Sequence, residues 1–295
     1  MKILITGANG FLGYYLVDML LHNSEEVIST GRGECRLPFF GKDRFTYLQM
    51  DFTDPFSVHD VFEDVKPDMV IHAGAMSKPD ECEQNQMQAY ITNVEGTVNL
   101  LINAAEYKAF FIFLSTDFVF DGETGMYKED DQTNPVNYYG RTKLEAEDAV
   151  KEFEHDWSII RTVLVYGKNH SGRKNFIELV KDKLENQEPY QLVDDQLRTP
   201  TYVEDLATGI HQIIAKRKKG IFHLSGKEIF TPYEIGKKIA EDYGLDFSQI
   251  KKVSAASFTE PARRPLRTGF TIDKAIHELG FTPVSFEEGL KKTFG

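Results

Sequence analysis

Cysteine is scarce in this sequence: of 295 residues, only Cys35 and Cys82 carry thiols. Two thiols build neither a disulfide framework nor a four-cysteine metal site, and a reducing compartment is their simplest home. Long apolar runs are missing as well. The longest, Ala109 to Leu114, has the length of a buried strand and falls far short of the roughly 18 residues of a membrane span. Met1–Ile5 has the look of a signal start, but it breaks early into Gly7, Asn9 and Gly10 and lacks a small-residue cleavage site, so a cytoplasmic protein is expected. Basic charge is in deficit. The 34 Lys and Arg against 46 Asp and Glu leave a net charge of −12, the wrong sign for a general nucleic-acid binder or an anionic membrane surface. The eight histidines show no H-E-x-x-H or paired-ligand spacing, so no metal is expected.

What is present is ordinary globular composition, with 41% hydrophobic and 27% charged residues. The length suggests about two domains or one large one. Strand-like runs alternate with helix-like ones. Lys2–Thr6, Glu26–Thr30, Phe45–Met50, Met69–His72, Ala109–Ser115 and Trp157–Thr162 read as strands. Phe11–His22, Pro55–Val65 (capped by Asp54), Ala89–Tyr107 and Asn137–Phe153 read as helices. This rhythm predicts an α/β fold, a doubly wound parallel sheet of Rossmann type with apolar strands buried on both faces. After Gly167 the rhythm changes. A polar loop over 168–173 is followed by a helix at Phe176–Asn186, a strand at Tyr190–Val193 and a turn at Arg198–Tyr202. Val203–Ala215 and Ile221–Leu224 are expected to return to the first sheet, with helices at Pro232–Tyr243 and Ile272–Leu279 beyond. A dinucleotide-binding domain is expected at 1–167 plus about 200–226, and a smaller α/β substrate-binding domain at about 168–199 plus 227–295. The basic run Lys216–Lys219 reads as helix C-terminal charge rather than an anion patch.

The first strand runs into T-G-A-N-G-F-L-G at 6–13 and then a helix. Glycines at this spacing let the backbone turn tightly and approach a pyrophosphate, which the free N–H groups of the helix start attract. The general fingerprint is G-x-G-x-x-G and this one is G-x-x-G-x-x-G, so its weight comes from its place between strand and helix. Gly7, Asn9, Gly10, Phe11, Leu12 and Gly13 are the expected cradle. The second strand ends Ser29-Thr30-Gly31-Arg32 with no acid for the ribose hydroxyls. Arg32 can hold a 2′-phosphate or stack on adenine, so NADP(H) is favoured, with NAD(H) and a merely solvated arginine as the alternatives. Asp51 and Phe52 after the third strand, and Ala73, Gly74 and Ala75 after the fourth, would edge the cofactor; ordinary loop chemistry explains them equally well.

Tyr139 and Lys143 stand four apart at the start of a helix and so share a face. An ammonium about 4 Å from the phenol, at an effective dielectric near 20, lowers its pKa by about three units before desolvation. That would bring the phenol near the working pH of a general acid. Ser115 and Thr116 end a strand at the edge where doubly wound sheets bind ligands. Taken alone, Y-x-x-x-K is commonly just a surface pair.

Together these residues resemble an extended short-chain dehydrogenase/reductase over nearly the whole chain. The likeness is carried by the glycine loop, L-S-T-D-F-V-F-D-G at 114–122, Y-Y-G-R-T-K-L-E-A-E at 138–147, R-T-V-L-V-Y-G at 161–167 and R-T-P-T-Y-V-E-D-L-A at 198–207. S-T-D-x-V-F-D-G, Gln196, Pro200-Thr201-Tyr202 and Arg264-Pro265 make it most similar to the dTDP-4-dehydrorhamnose reductase branch. The resemblance implies Thr116, three residues before Val119, as the active hydroxyl, Tyr139 as proton donor, and Lys143 as holder of the nicotinamide ribose. Ser115 would border the cofactor, and Asn93 would support the site. It implies reduction of a 4-keto group on a nucleoside-diphosphate sugar, with Asp117 and Phe118 edging the sugar and Asn175, Arg198 and Arg263 as donors to the substrate. Relatives in this branch usually carry a tryptophan on the sugar where Leu164 stands here, which implies a changed pocket wall. The relatives' habit of pairing implies a homodimer. An epimerase or dehydratase on the same scaffold, and a non-catalytic cofactor-binding regulatory subunit, are the alternatives. Phe118 stands where dehydratases carry the second acid of an Asp-Glu pair.

Overall fold

The computed structural model describes residues 1–23, 25–172 and 174–295. Ser24 and Arg173 lie outside the described residues, so the polar loop expected over 168–173 is described only as far as Gly172. The elements along the chain are β1 (Lys2–Thr6), α1 (Phe11–His22), β2 (Glu26–Gly31), β3 (Phe45–Gln49), α2 (Pro55–Val65), β4 (Met69–His72), α3 (Pro79–Gln84), α4 (Gln86–Tyr90), α5 (Gly96–Glu106) and β5 (Phe110–Thr116). They continue with α6 (Tyr138–Lys151), β6 (Trp157–Thr162), β7 (Val165–Tyr166), α7 (Phe176–Glu185), β8 (Tyr190–Val193), β9 (Thr201–Tyr202), α8 (Val203–Lys216), β10 (Gly220–His223), α9 (Pro232–Tyr243), β11 (Ile250–Val253), α10 (Asp273–Leu279) and α11 (Phe286–Phe294).

Seven strands form one parallel sheet in the order β3-β2-β1-β4-β5-β6-β10. Every residue of β5 is buried, as its unbroken apolar sequence requires. Alternation sends neighbouring side chains to opposite faces. Ile3, Ile5 and Ile112 enter one apolar cluster, while Leu4, Phe111 and Phe113 enter another behind the sheet. The strand order reverses between β1 and β4, which opens a crevice at their carboxyl ends. β10 returns to the sheet beside β6, as expected. The later elements gather around a third apolar cluster, in which Ile177 and Val180 of α7 pack with Ile235 and Ile239 of α9 and Leu290 of α11. β8 and β11 pair in parallel at its edge.

Local signals explain several boundaries. Asp54 accepts the Phe56 N–H at 3.1 Å in front of Pro55, a cap worth about 1 kcal/mol. The basic run ends α8 as expected: Lys216 Nζ donates to the Leu279 carbonyl at 2.6 Å, and Lys218 pairs with Glu278 at 3.0 Å. The helix expected at Ala89–Tyr107 is instead interrupted. A π turn at Ile91–Glu95 separates α4 from α5. Gly96, just after it, packs so closely on Phe52 that a Cβ there would come within 2.6 Å of the ring. Such turns add a residue to the helix and re-aim side chains, here that of Asn93. No helix among the described residues is long and apolar enough to cross a membrane.

Candidate functional site

The glycine loop closes between β1 and α1. Gly7 adopts φ 71°, and a Cβ there would sit 2.7 Å from the backbone of Ala73 and Gly74. A Cβ on Gly13 would lie 2.4 Å from the Ala8 carbonyl. Only glycine lets the loops after β1 and β4 approach this closely. Gly10 is the N-cap of α1 and provides no side-chain cap, which leaves the first amides of α1, from Phe11 through Gly13, open to an anion. This cradle fits a dinucleotide pyrophosphate.

Asn9 ties the loop to the segment after β2. Its Nδ2 donates to the Glu34 carbonyl at 3.0 Å and to the Tyr47 hydroxyl at 2.9 Å, and its Oδ1 accepts the Arg36 N–H at 2.9 Å. Arg32 is exposed at this rim, its carbonyl held by Gln49 at 2.7 Å. Arg36, not singled out from the sequence, reaches the Asn9 carbonyl at 3.2 Å and places a second guanidinium beside the cradle. Its only advance signal was a second arginine four residues after the first. Asp51 accepts from the Thr53 N–H and hydroxyl at 3.0 and 2.8 Å, and the Phe52 ring backs Gly74. Ala73 and Ala75 flank Gly74 on the same crevice wall.

The Thr, Tyr and Lys positions meet at the end of β5. Asn137 caps α6 by accepting the Gly140 N–H at 2.9 Å. Gly140 packs so tightly that a Cβ would fall 2.1 Å from the Phe118 carbonyl, and this approach carries Tyr139 to Thr116. Both side chains face one cavity. Asn93 pins the arrangement from behind: its amide accepts the Met76 N–H at 2.8 Å, donates to the Met76 carbonyl at 3.1 Å and donates to Thr142 at 3.0 Å. Ser115 donates to Glu147 at 2.5 Å; Glu147 in turn holds Arg161 through bonds of 2.9 and 2.7 Å.

The electrostatics differ from the expectation. Burial pushes the Tyr139 phenol well above its usual range, Asp117 and Cys82 push it further, and the Thr116 hydroxyl opposes them. Lys143 is not among the groups acting on it. The lysine is itself 3% exposed, its Nζ lies 3.9 Å from the centre of the Phe113 ring, and burial pulls it down to about 7 against the pull of Glu147. A lysine at the edge of losing its own charge cannot supply the stabilisation expected of a fixed ammonium.

A cavity of about 990 Å³ opens in front of these residues. Ser115, Thr116, Asp117, Phe118, Tyr139, Leu164 and Arg198 line it. Leu164 holds φ 36°, an uncommon conformation for a branched residue, with its carbonyl bound by the Thr201 N–H at 3.2 Å. Asn175 and Arg263 are not part of the lining. Asn175 caps α7, accepting the Glu178 N–H at 3.1 Å and donating to the Gly167 carbonyl at 2.7 Å. Arg263 is exposed, and Arg264 faces the cavity in its place. That guanidinium is held by Asp80 through two bonds of 2.7 Å. Arg198 donates to the carbonyls of Leu197, Leu266 and Pro265 at 2.8, 3.0 and 2.8 Å. Phe176, Tyr190, Gln191 and Lys251 complete a wall that sequence reasoning missed.

The family described as RmlD substrate binding domain matches residues 1–295. Methionine adenosyltransferase 2 subunit beta of Bos taurus is 33% identical over 259 residues, covering 86% of this chain and 75% of its own length. The spore coat polysaccharide biosynthesis protein SpsK of Bacillus subtilis is 32% identical over 292 residues, 99% of this chain and 96% of its own. A solved dTDP-4-dehydrorhamnose reductase from Bacillus anthracis, in complex with NADP, is similar at TM-score 0.85 and 28% identity, covering 99% of this chain and 98% of that one.

Proposed function

Since the chain belongs to the RmlD substrate binding domain family, we propose that it is a nicotinamide-dependent reductase of a 4-keto group on a nucleoside-diphosphate sugar. The observation that carries this reading is that Thr116 and Tyr139 face one cavity of about 990 Å³, with Lys143 one turn beyond Tyr139 along α6. The glycine cradle and the amides of Phe11, Leu12 and Gly13 would hold the pyrophosphate. Arg32 and Arg36 support NADP(H) over NAD(H), as does the similar reductase solved with NADP. When bound, a dihydronicotinamide supplies hydride to a carbonyl carbon. Thr116 hydrogen-bonds the carbonyl oxygen, Tyr139 gives it a proton, and Lys143 orients the ribose. The division into 1–167 plus about 200–226 and about 168–199 plus 227–295 is part of this proposal, supported by the separate apolar cluster of the later segments.

The relative that is a subunit of a methionine adenosyltransferase favours a second reading, a subunit that binds cofactor without turnover. Absorbance at the nicotinamide band decides between them. The purified protein is mixed with NADPH, then NADH, and a panel of nucleotide 4-keto sugars. Oxidation that falls at least about 10²-fold in Tyr139→Phe supports the reductase. Tight cofactor binding with no sugar turned over supports the second reading.

A further inference from the structure

The carboxyl group of Asp117 lies directly against the reacting hydroxyls and is 4% exposed. One oxygen, Oδ1, is 3.0 Å from Thr116 Oγ1. The other, Oδ2, accepts from the hydroxyl of Thr268, which comes from a segment held to Leu197 by its own N–H at 3.1 Å. Thr116 Oγ1 also accepts the Phe118 N–H at 3.2 Å.

A threonine hydroxyl has one proton and two lone pairs, and a ketone oxygen has none to give. With Asp117 ionised, the Thr116 proton goes to Oδ1. One Thr116 lone pair takes the Phe118 N–H. The proton that Thr116 would offer a ketone is then turned away from the cavity. With Asp117 protonated, its O–H donates to Thr116 and, with the Phe118 N–H, fills both lone pairs. The Thr116 proton then points into the cavity, and Oδ2 still accepts from Thr268.

We propose that the proton on Asp117 gates the site, arming the Thr116 hydroxyl as a donor when present and turning it away when lost. This deepens the reductase reading and rests on it for its kinetic consequence. During reduction Asp117 keeps its proton: hydride adds to the carbonyl carbon, the carbonyl π bond breaks, and the oxygen takes the proton of Tyr139. The charged and titratable groups facing Asp117 are Arg198, from the segment before β9, and Tyr139, from α6; Arg264 acts on Arg198 in turn. Burial favours the neutral acid most strongly, while Arg198 and the two threonines favour the anion.

Asp117→Asn mimics the neutral acid, because its amide can donate to Thr116 and accept from Thr268. Thr268→Val removes one bond that favours the anion. The infrared carboxylic C=O stretch is followed from about pH 5 to about pH 9 in the wild type, Thr268→Val and Asp117→Asn. The rate of NADPH oxidation with a nucleotide 4-keto sugar is followed over the same range. A protonated-carboxyl band at neutral pH, missing in Asp117→Asn and lost at higher pH in Thr268→Val than in the wild type, is the expected result. The wild-type kcat/KM should fall about 10²-fold as the band disappears. The ratio of alkaline to neutral kcat/KM should approach one in Asp117→Asn, and the fall should move to higher pH in Thr268→Val. Loss of the Lys143 charge also lowers the rate with rising pH, but Thr268→Val does not move that fall. Absence of the band at neutral pH overturns the gate, as does a fall that neither variant shifts. The infrared titration reads the proton on Asp117 whether or not any sugar turns over, so failure of the gate and failure of the reductase reading are distinguishable.

Discussion

Polar groups on the two sides of the cleft are used in opposite ways. Beside β5 and α6, reactive groups are buried short of full pairing: Lys143 has the face of Phe113 beneath it, and Tyr139 is held far from ionising. Across the cavity, the groups expected to greet a substrate are taken up by the protein itself. Asn175 builds a capping box, Arg198 binds three carbonyls, and Arg264 is clamped by Asp80. On the first side, burial moves the titration of Tyr139 up and that of Lys143 down, away from their usual ranges. On the second, these side chains secure the wall, while others such as Gln191 and Lys251 line the cavity.

Glu147 sharpens the contrast on the first side, because one turn beyond Lys143 it is fully buried and fully paired, to Arg161 and Ser115. Glu147→Ala should therefore have the largest effect, about 3–5 kcal/mol of lost stability, since it leaves the Arg161 charge buried without its partner. Urea unfolding measures it, and a loss below about 1 kcal/mol would erase the distinction between the two turns of α6.

Lys143→Met should act in the other direction, stabilising the fold by about 2–4 kcal/mol near neutral pH while abolishing turnover. The sign follows from linkage. The folded lysine titrates at about 7 and the unfolded one near 10.5, so between those values the unfolded chain binds the extra proton. Wild-type stability therefore rises with pH across that window, and the gap to Lys143→Met should narrow. Parallel unfolding at neutral and alkaline pH tests it; a constant gap would mean that the lysine is not buried as described.

Across the cavity, Asn175→Ala should cost about 1 kcal/mol through the lost cap. If Asn175 were a substrate donor, KM for the keto sugar would rise with it. A KM changed by less than about twofold, beside a measurable drop in unfolding temperature, is the outcome that keeps the two sides distinct.

Legibility followed the range of the interactions. The glycine loop, the strand ends and the Tyr139–Lys143 spacing belong to short runs, where backbone periodicity alone decides which residues share a face. The cap at Asp54 and the buried β5 were legible for the same reason. The π turn was not, because the close approach of Gly96 to Phe52 is a contact between separate segments. The cavity wall was harder still. Arg263 and Arg264 are neighbours of the same chemistry, and Asp80, which binds Arg264 across a separation of 184 residues, helps to decide which of them turns inward.

Sequence by itself determined the seven parallel strands, the loop that closes over their switch point and the three residues gathered at the end of β5, because each rests on local chain geometry and apolar alternation. Tertiary structure alone decided the charge state of Lys143, the reluctance of Tyr139 to ionise and the two threonines on Asp117. Those depend on water being removed and on partners as far as 151 residues apart being brought to one carboxyl group, and desolvation is a property of the packed interior that no run of neighbouring residues carries.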